Sequence, residues 1–255
     1  MTCARARSCL FALVLVPLAA GSAAAQDAAT DWVTREQDAL WTGVVAEQQV
    51  TDRVALWFDG SWRRMGLGAR PQQLLLRPGV LVTVAPGVKV GAGYTWVATA
   101  PYGRLPLAHP TREHRSWVDL QLAHAAGRAA VTHRFRLEQR WVHPLVRDTA
   151  GPTSYANRVR YRARGTLKLG GLAVNGLPVQ AFVWDELLMP LGGRGQQFTI
   201  GQNRATVGVA LPLSHATKVE LAYMNLYNAF PSRRANEVNH TLWLSWHYTG
   251  ERHRR

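Results

Sequence analysis

The chain has 255 residues, 47% of them hydrophobic, which suits one ordinary domain or two small ones and excludes global disorder. Lysine and arginine number 30 against 16 aspartates and glutamates, a formal charge of +14 that ordinarily points to nucleic acid or an anionic surface. The two cysteines, Cys3 and Cys9, lie at the extreme N-terminus, so the rest of the chain cannot form disulfides, zinc ribbons or iron–sulfur sites.

Residues 1–25 have the features of a secretory signal peptide. Arg5 and Arg7 form a basic start, an apolar run follows at 10–20, and the alanines at 23–25 offer a small-residue cleavage site. We expect cleavage after Ala25 and a single mature domain over residues 26–255. Export from the cytoplasm argues against nucleic acid as the partner of the basic charge.

The mature chain alternates polar and apolar residues almost throughout, which is the pattern of β-strands with one wet and one apolar face. The clearest example is 157–169, where every second residue from Arg158 to Arg164 is an arginine. Only residues 31–38 could form a helical turn, or else begin a further strand. Eleven strand-like runs follow one another, at 37–49, 53–64, 72–84, 88–99, 112–126, 129–147, 155–169, 178–188, 197–211, 217–228 and 237–248.

The connections between these runs alternate in length. Tight ones at 50–52, 85–87, 127–128 and 212–216 alternate with longer ones at 65–71, 100–111, 148–154, 190–196 and 229–236, and the link at 170–177 is intermediate. This wiring is typical of an up-and-down antiparallel barrel. Single-chain bacterial membrane barrels almost always have an even number of strands, so we expect about twelve, with ten as the alternative.

Strand length and residue placement favour a transmembrane barrel over a periplasmic β-protein. The runs are about twice the 5–6 residues usual for soluble sheets and reach the 9–11 that cross a bilayer at a tilt. The polar face carries more charge than the interior of a small soluble barrel would hold. Aromatic residues crowd the apolar face near strand ends, where an interfacial girdle belongs: Trp41, Tyr94, Trp96, Trp141, Tyr223, Trp246 and Tyr248.

Several short motifs resemble one family of outer-membrane barrels. The string His133–Arg140 is similar to the signature His-Arg-x-Arg-x-Glu-Gln-Arg, and Leu75–Gly79, Arg158–Arg162 and Gln202–Arg204 also match in order. The chain is identified on these residues as a member of the domain of unknown function 2490 family. The resemblance implies a β-barrel in the outer membrane of a Gram-negative bacterium and implies no activity. A basic tail, residues 249–255, stands where outer-membrane barrels often end on an aromatic residue.

The strongest candidate site is a basic cluster on the polar, lumen-facing side of the barrel. Its arginines lie on neighbouring strands and repel one another unless carboxylates or anions intervene. The cluster comprises Arg134, Arg136, Glu138, Arg140, Arg158, Arg160, Arg162, Arg164, Glu186 and Arg204. Further lumen carboxylates are offered by Asp59, Glu113, Asp119, Glu220 and Glu237. Three interpretations stay open: an arginine–glutamate network that fills a narrow barrel, a positive constriction that selects anions, and a site for a phosphorylated lipid or other anionic partner.

Enzymatic and cofactor chemistry find little support. Ser245 has a histidine, His247, two residues away on the same face, but we expect the i,i+2 spacing of about 7 Å to prevent direct contact. The nine histidines show no consistent metal-ligand spacing. Gly91 and Gly93 lack the following helix of a dinucleotide loop. We therefore predict no catalytic, cofactor or metal residues.

The sequence thus predicts an integral outer-membrane barrel of uncharacterised activity, serving a structural role in the cell envelope with an arginine–glutamate-filled lumen. A narrow, porin-like anion-selective channel is the first alternative, and a barrel hydrolase of outer-membrane lipid is a weaker one. The expected partners are outer-membrane lipid, lipopolysaccharide and the outer-membrane assembly machinery, with small anions possible in the lumen.

Overall fold

A computed structural model describes residues 32–147, 149–192 and 200–252 of the chain. The signal peptide predicted at 1–25 therefore lies outside the described residues. The strands are β1 (Val33–Gln49), β2 (Val54–Met65), β3 (Arg70–Ala85), β4 (Val88–Thr99), β5 (Thr111–Ala126), β6 (Ala129–Val146), β7 (Thr149–Ala150), β8 (Ser154–Val174), β9 (Leu177–Leu191), β10 (Gln202–Pro212), β11 (Thr217–Phe230) and β12 (Ala235–Gly250). Two single 3-10 turns, Gly66–Gly68 and Pro231–Arg233, interrupt this order. None of the described helices is long and apolar enough to cross a membrane.

The strands form a closed barrel. Neighbouring wall strands pair antiparallel, except that β1 and β12 close the wall as a parallel pair. Val33 stands opposite Ala235 at one end of this pair, and Gln48 stands opposite Gly250 at the other. Among the described residues β7 pairs with the end of β6 alone, so eleven strands make the wall and β7 is an addition to it.

This architecture confirms the all-β, up-and-down barrel and the estimate of about twelve strands. The eleven runs predicted from the sequence correspond one by one to the eleven wall strands. The wall itself is not even-numbered, because a parallel pair lets an odd count close. In consequence β1 begins and β12 ends at opposite ends of the barrel.

Two expectations about strand ends are corrected. Residues 33–38 do not form a helical turn; they are the extended start of β1, where Val33 N–H donates to the carbonyl of Arg234 at 3.0 Å. The tail predicted from residue 249 begins later, since β12 continues through Gly250 and Thr249 N–H bonds to Ala216. Backbone pairing between β1 and β12 therefore extends from the start of β1 to the end of β12.

The connections define two different ends of the barrel. The short-turn end holds the links at 50–53, 86–87, 127–128, 175–176 and 213–216. The long-loop end holds those at 66–69, 100–110 and 231–234, together with the end of β6, the start of β8, the end of β9 and the start of β10. The link expected at 170–177 proves to be a two-residue turn at Asn175 and Gly176, with φ of 52° and 75°. Two successive left-handed residues make the tight hairpin that suits strand twist. The short-turn end therefore has no link longer than four residues, whereas the longest described link, 100–110, lies at the long-loop end.

The wall has an apolar outer face. Each of the eleven wall strands exposes at least one large hydrophobic side chain, for example Leu56 on β2 and Val118 on β5, which are 55% and 54% exposed. The outward aromatic positions include Tyr94, Tyr223 and Trp246, as predicted. Trp41 is a correction: it is only 3% exposed and lies in the lumen, where its indole N–H donates to Gln72 at 2.8 Å.

Candidate functional site in the lumen

The predicted basic cluster lies on the lumen side of adjacent strands β6 and β8. In the register of this pair Arg134 stands opposite Arg162 and Arg136 opposite Arg160, while Glu138 stands opposite Arg158. Strict alternation sends these side chains inward together. Like charges directly opposite each other are destabilising, so the arrangement requires anionic groups from elsewhere.

Glu186 of β9 supplies one such group and joins three strands. Its carboxylate accepts hydrogen bonds from Arg134 at 2.7 Å, from Arg160 at 2.8 Å and from Arg204 at 3.2 Å. The residue is only 2% exposed. Charge-assisted bonds from three arginines to one buried carboxylate bring together four members of the cluster predicted from the sequence.

Glu138 of β6 is a second centre of the same network. It accepts from Arg160 at 2.8 Å and from Arg158 through Nε at 3.0 Å, and it is fully buried. Arg160 thereby bridges Glu138 and Glu186. A guanidinium with five fixed donors suits this two-sided role better than a lysine would.

The other ion pairs of the lumen surround these two centres. Arg136 donates to Asp119 at 2.6 Å, and Arg140 bonds to Glu113. Arg164 donates to Glu220 across two intervening strands, at 2.8 Å and 3.1 Å. Arg162 lies near the ring of Trp184, with its guanidinium carbon 5.9 Å from the ring centroid. All ten residues of the predicted cluster therefore face the lumen.

Sequence reasoning missed three further arginines of this network. Arg77 donates to Asp59 at 2.7 Å, and Arg115 forms a two-bond pair with Glu113 at 2.8 Å. Arg63, near the end of β2, lies over the ring of Trp41 at 3.7 Å. The alternation of β3 and β5 carries the signal for the first two. The third, Arg63, is not identified by alternation, because the register of β2 shifts between Arg63 and Arg64.

Aromatic side chains fill the lumen beside the ion pairs. Trp184 of β9 meets Trp243 of β12 edge-on at 5.3 Å, and Trp57 of β2 meets Trp117 of β5 at 5.5 Å. Arg136 lies 3.9 Å from the Trp117 centroid and 5.3 Å from that of Trp57. Cation–π contacts of a desolvated guanidinium stabilise such packing. The middle of the lumen is therefore occupied by interlocked side chains from strands on different sides.

The expectation about Ser245 and His247 is wrong. The two side chains are in contact, with Oγ and Nε2 2.9 Å apart, because side chains on one face lean along the strand and shorten the gap. Glu220 Oε2 lies 3.4 Å from the same Nε2. In a catalytic triad serine and acid approach opposite ring nitrogens. Here both approach one nitrogen, so this group lacks the geometry of a triad.

A cavity of about 410 Å³ opens from the network toward the long-loop end. Its wall combines charged, amide and apolar side chains from most of the barrel strands. The connection 100–110 contributes Tyr102 and Leu107 to it. This connection is fastened by Arg233, which donates to the carbonyls of Leu105 and Pro106 at 3.1 Å and 3.2 Å.

The hydroxyl of Tyr102 stays protonated within this wall. Burial raises the pKa of Tyr102 to about 12, and the nearby Glu237 acts in the same direction. A protonated phenol can donate a hydrogen bond into the cavity at neutral pH. For metals, the part of the chain that the structure describes holds no group of three or more His, Cys, Asp or Glu residues that could bind an ion.

Comparison with known proteins gives one match. The family model described as a protein of unknown function (DUF2490) matches residues 38–237. No curated protein and no solved structure shows significant similarity to the chain.

Proposed function

The chain belongs to the DUF2490 family, and from this premise and the geometry of its barrel we propose that it is an integral outer-membrane protein with a closed lumen, serving the cell envelope as a structural or interaction barrel. Outer-membrane lipid and lipopolysaccharide would surround its wall. The outer-membrane assembly machinery would insert it after export through a cleaved signal peptide. No enzymatic activity is part of this proposal.

The observation that carries the proposal is the inverted distribution of side chains. Charged residues such as Arg136 and Glu138 are 1% and 0% exposed inside the barrel, whereas large hydrophobic residues are exposed on every wall strand. In water this outer face would be an extensive apolar surface, far beyond the patches that monomeric soluble proteins tolerate. In a bilayer the same face is solvated by lipid, and a closed barrel leaves no unpaired strand edge.

The network described above supports the closed lumen of this proposal. Arg134 on β6 reaches Glu186 on β9, and Arg164 on β8 reaches Glu220 on β11, so the pairs cross between strands that are not neighbours. Buried pairs of this kind are held by further hydrogen bonds and aromatic rings. In this proposal they close the lumen to solutes.

Two measurements test the proposal. Membranes of cells that produce the chain are fractionated, and the outer-membrane extract is run on a gel with and without boiling. We expect the protein in that fraction, with faster mobility before boiling than after. The same folded protein should leave a planar bilayer electrically silent. Recovery in the soluble periplasmic fraction would overturn the membrane location. Steady conductance from heat-modifiable protein would overturn the closed lumen.

A narrow anion-selective channel is the second candidate. It is favoured by the excess of arginine around the cavity, since arginine-lined constrictions select anions. The planar-bilayer measurement separates the two candidates. Anion-selective current from the purified barrel would favour the channel, and its absence the closed barrel.

A further inference from the structure

The cavity at the long-loop end has an unbalanced set of charges in its wall. Among the described residues, seven arginines line it but only one carboxylate does, that of Glu113. The arginines are Arg63, Arg77, Arg115, Arg140, Arg158, Arg160 and Arg204. We infer that this cavity is a binding site for a small organic anion that carries at least two negative charges and an apolar portion.

The carboxylates that contact these arginines do not neutralise them. The described carboxylates that contact them are those of Asp59, Glu113, Glu138 and Glu186. Glu186 is also shared with Arg134, which lies outside the cavity wall. Glu237 lies at the same end but accepts hydrogen bonds from two asparagine amides. Even with Glu237 included, five carboxylates face seven guanidinium groups. An anion with two charges restores the balance.

Arg63 is the arginine best placed to meet that anion. Its described partners are neutral: Nε donates to Ser61 at 3.2 Å and Nη1 to Gln73 at 2.6 Å. No carboxylate of the described residues forms an ion pair with it. Stacking on Trp41 holds the planar group in place at the cavity wall. Its charge is thus fixed in position and available to a ligand.

Two buried donors beside the cavity also lack partners. The Nε atoms of Arg160 and Arg204 are buried and have no hydrogen-bond acceptor among the described residues. Arg160 is 3% exposed as a whole residue and lines the cavity. Buried N–H groups are nearly always satisfied, so these two arginines of the cavity wall are short of acceptors as well as of counter-charge.

Apolar side chains complete the wall and define the rest of the ligand. Trp41, Leu107 and Phe230 line the same cavity as the arginines. A volume of about 410 Å³ lies within the range of small-molecule sites, which combine an apolar lining with a few polar anchors. Inorganic phosphate would leave this lining uncovered. A phosphate or dicarboxylate joined to a hydrocarbon or aromatic group would use both parts.

The experiment measures binding of phenyl phosphate to the folded full-length barrel in a zwitterionic detergent by titration calorimetry. We expect saturable binding with one ligand per chain, weaker binding of inorganic phosphate and none of benzyl alcohol. The Arg63→Gln substitution should raise the dissociation constant for phenyl phosphate roughly tenfold or more. This change leaves no carboxylate unpaired, so the fold is retained, and heat-modifiable mobility verifies it.

Arg64→Gln is the matched control. Arg64 follows Arg63 directly, but it bonds to the carbonyls of Gly68 and Ala69 outside the cavity. We expect unchanged affinity in this variant. Failure of the folded protein to bind phenyl phosphate, or equal affinity in the Arg63→Gln variant and the original chain, would overturn the site.

The inference rests on the closed lumen of the proposed function, because in an open lumen the same arginines would line a pathway. A planar-bilayer recording on the same sample distinguishes the two failures. Conductance together with Arg63-dependent binding would reject the closed lumen and keep the anion site. Silence without binding would reject the site and keep the closed barrel.

Discussion

Arg160 donates from a single guanidinium nitrogen, Nη2, to both carboxylate oxygens of Glu186, with both distances at 2.8 Å. Its other terminal nitrogen, Nη1, donates to Glu138 at the same distance. One arginine on β8 therefore ties β6 to β9 through two buried acids. Arg134, Arg158 and Arg204 depend on the same pair of acids for their own compensation.

Replacing Glu186→Gln should destabilise the barrel strongly. The change keeps the shape of the side chain but leaves Arg134, Arg160 and Arg204 without their shared counter-charge. Removing one partner of a buried ionic network costs about 3–5 kcal/mol. We expect a loss of this size in the free energy of unfolding, measured by urea titration of the reconstituted protein with heat-modifiable mobility as the readout.

Asp185→Asn is the control for that measurement. Asp185 precedes Glu186 on β9 but points to the other face, where it accepts a hydrogen bond from Asn203 at 2.7 Å. We expect this variant to lose about 1 kcal/mol or less. Equal losses in the two variants would mean that the lumen network contributes no more than an isolated pair on the outer face.

The sequence was sufficient to predict that the ten residues of the basic cluster face the lumen but not which of them meet. Alternation along β8 places Arg158 and Arg160 inward, and the same parity places Glu186 inward on β9. The contact between Arg134 and Glu186, however, joins residues 52 positions apart on strands that are not neighbours. Such a contact depends on barrel curvature and on the height of each residue along the axis, and neither is encoded in a local pattern.

Trp41 and Ser245 show two further limits of pattern reasoning. Trp41 was assigned to the outer girdle because it is aromatic, yet its N–H finds Gln72 as a partner inside. Ser245 was separated from His247 by backbone spacing, yet side-chain lean brings them together. The odd number of wall strands was not predicted for a different reason. The parallel pairing of β1 with β12 joins distant parts of the chain and has no local sequence signal.

A charge placed on the outer face tests the membrane location directly. Val207 lies in the middle of β10 and is 54% exposed. In a bilayer, Val207→Arg should cost about 2–4 kcal/mol, the penalty for arginine on the lipid face near the midplane. In a water-soluble barrel the same exposed substitution would change stability by about 0.5 kcal/mol or less. Urea titration in lipid vesicles measures the difference.

Leu213→Arg is the matched control for this substitution. Leu213 is 45% exposed as well, but it lies in the short connection 213–216, outside the strands. We expect little change in stability for this variant. A neutral result for both arginines would contradict the lipid-facing wall.

The parallel closing pair predicts that the two ends of the described chain emerge on opposite sides of the membrane. Thr34 lies at the long-loop end and Glu251 follows β12 at the short-turn end. The predicted mature chain contains no cysteine, so Thr34→Cys and Glu251→Cys each introduce a single label site. In intact cells a membrane-impermeant maleimide should label one of these variants and not the other.

Two loop variants calibrate that experiment. Ala108→Cys marks the long-loop end and Thr51→Cys the short-turn end, and both positions are exposed. Thr34→Cys should label like Ala108→Cys, and Glu251→Cys like Thr51→Cys. Labelling of Thr34→Cys together with Glu251→Cys would instead indicate an even-numbered wall.

From the contact between Ser245 and His247 we predict that Ser245 is not an activated nucleophile. Since Glu220 approaches the nitrogen that already faces Ser245, no acid in the described part of the chain orients the ring for proton abstraction. Ser245 is also only 2% exposed, which keeps substrates away from its hydroxyl. A fluorophosphonate probe should therefore leave the folded barrel unlabelled, and Ser245→Ala should cost about 1 kcal/mol, the value of one hydrogen bond. Probe labelling that disappears in the Ser245→Ala variant would show instead that the hydroxyl is an activated nucleophile and that the barrel is a hydrolase.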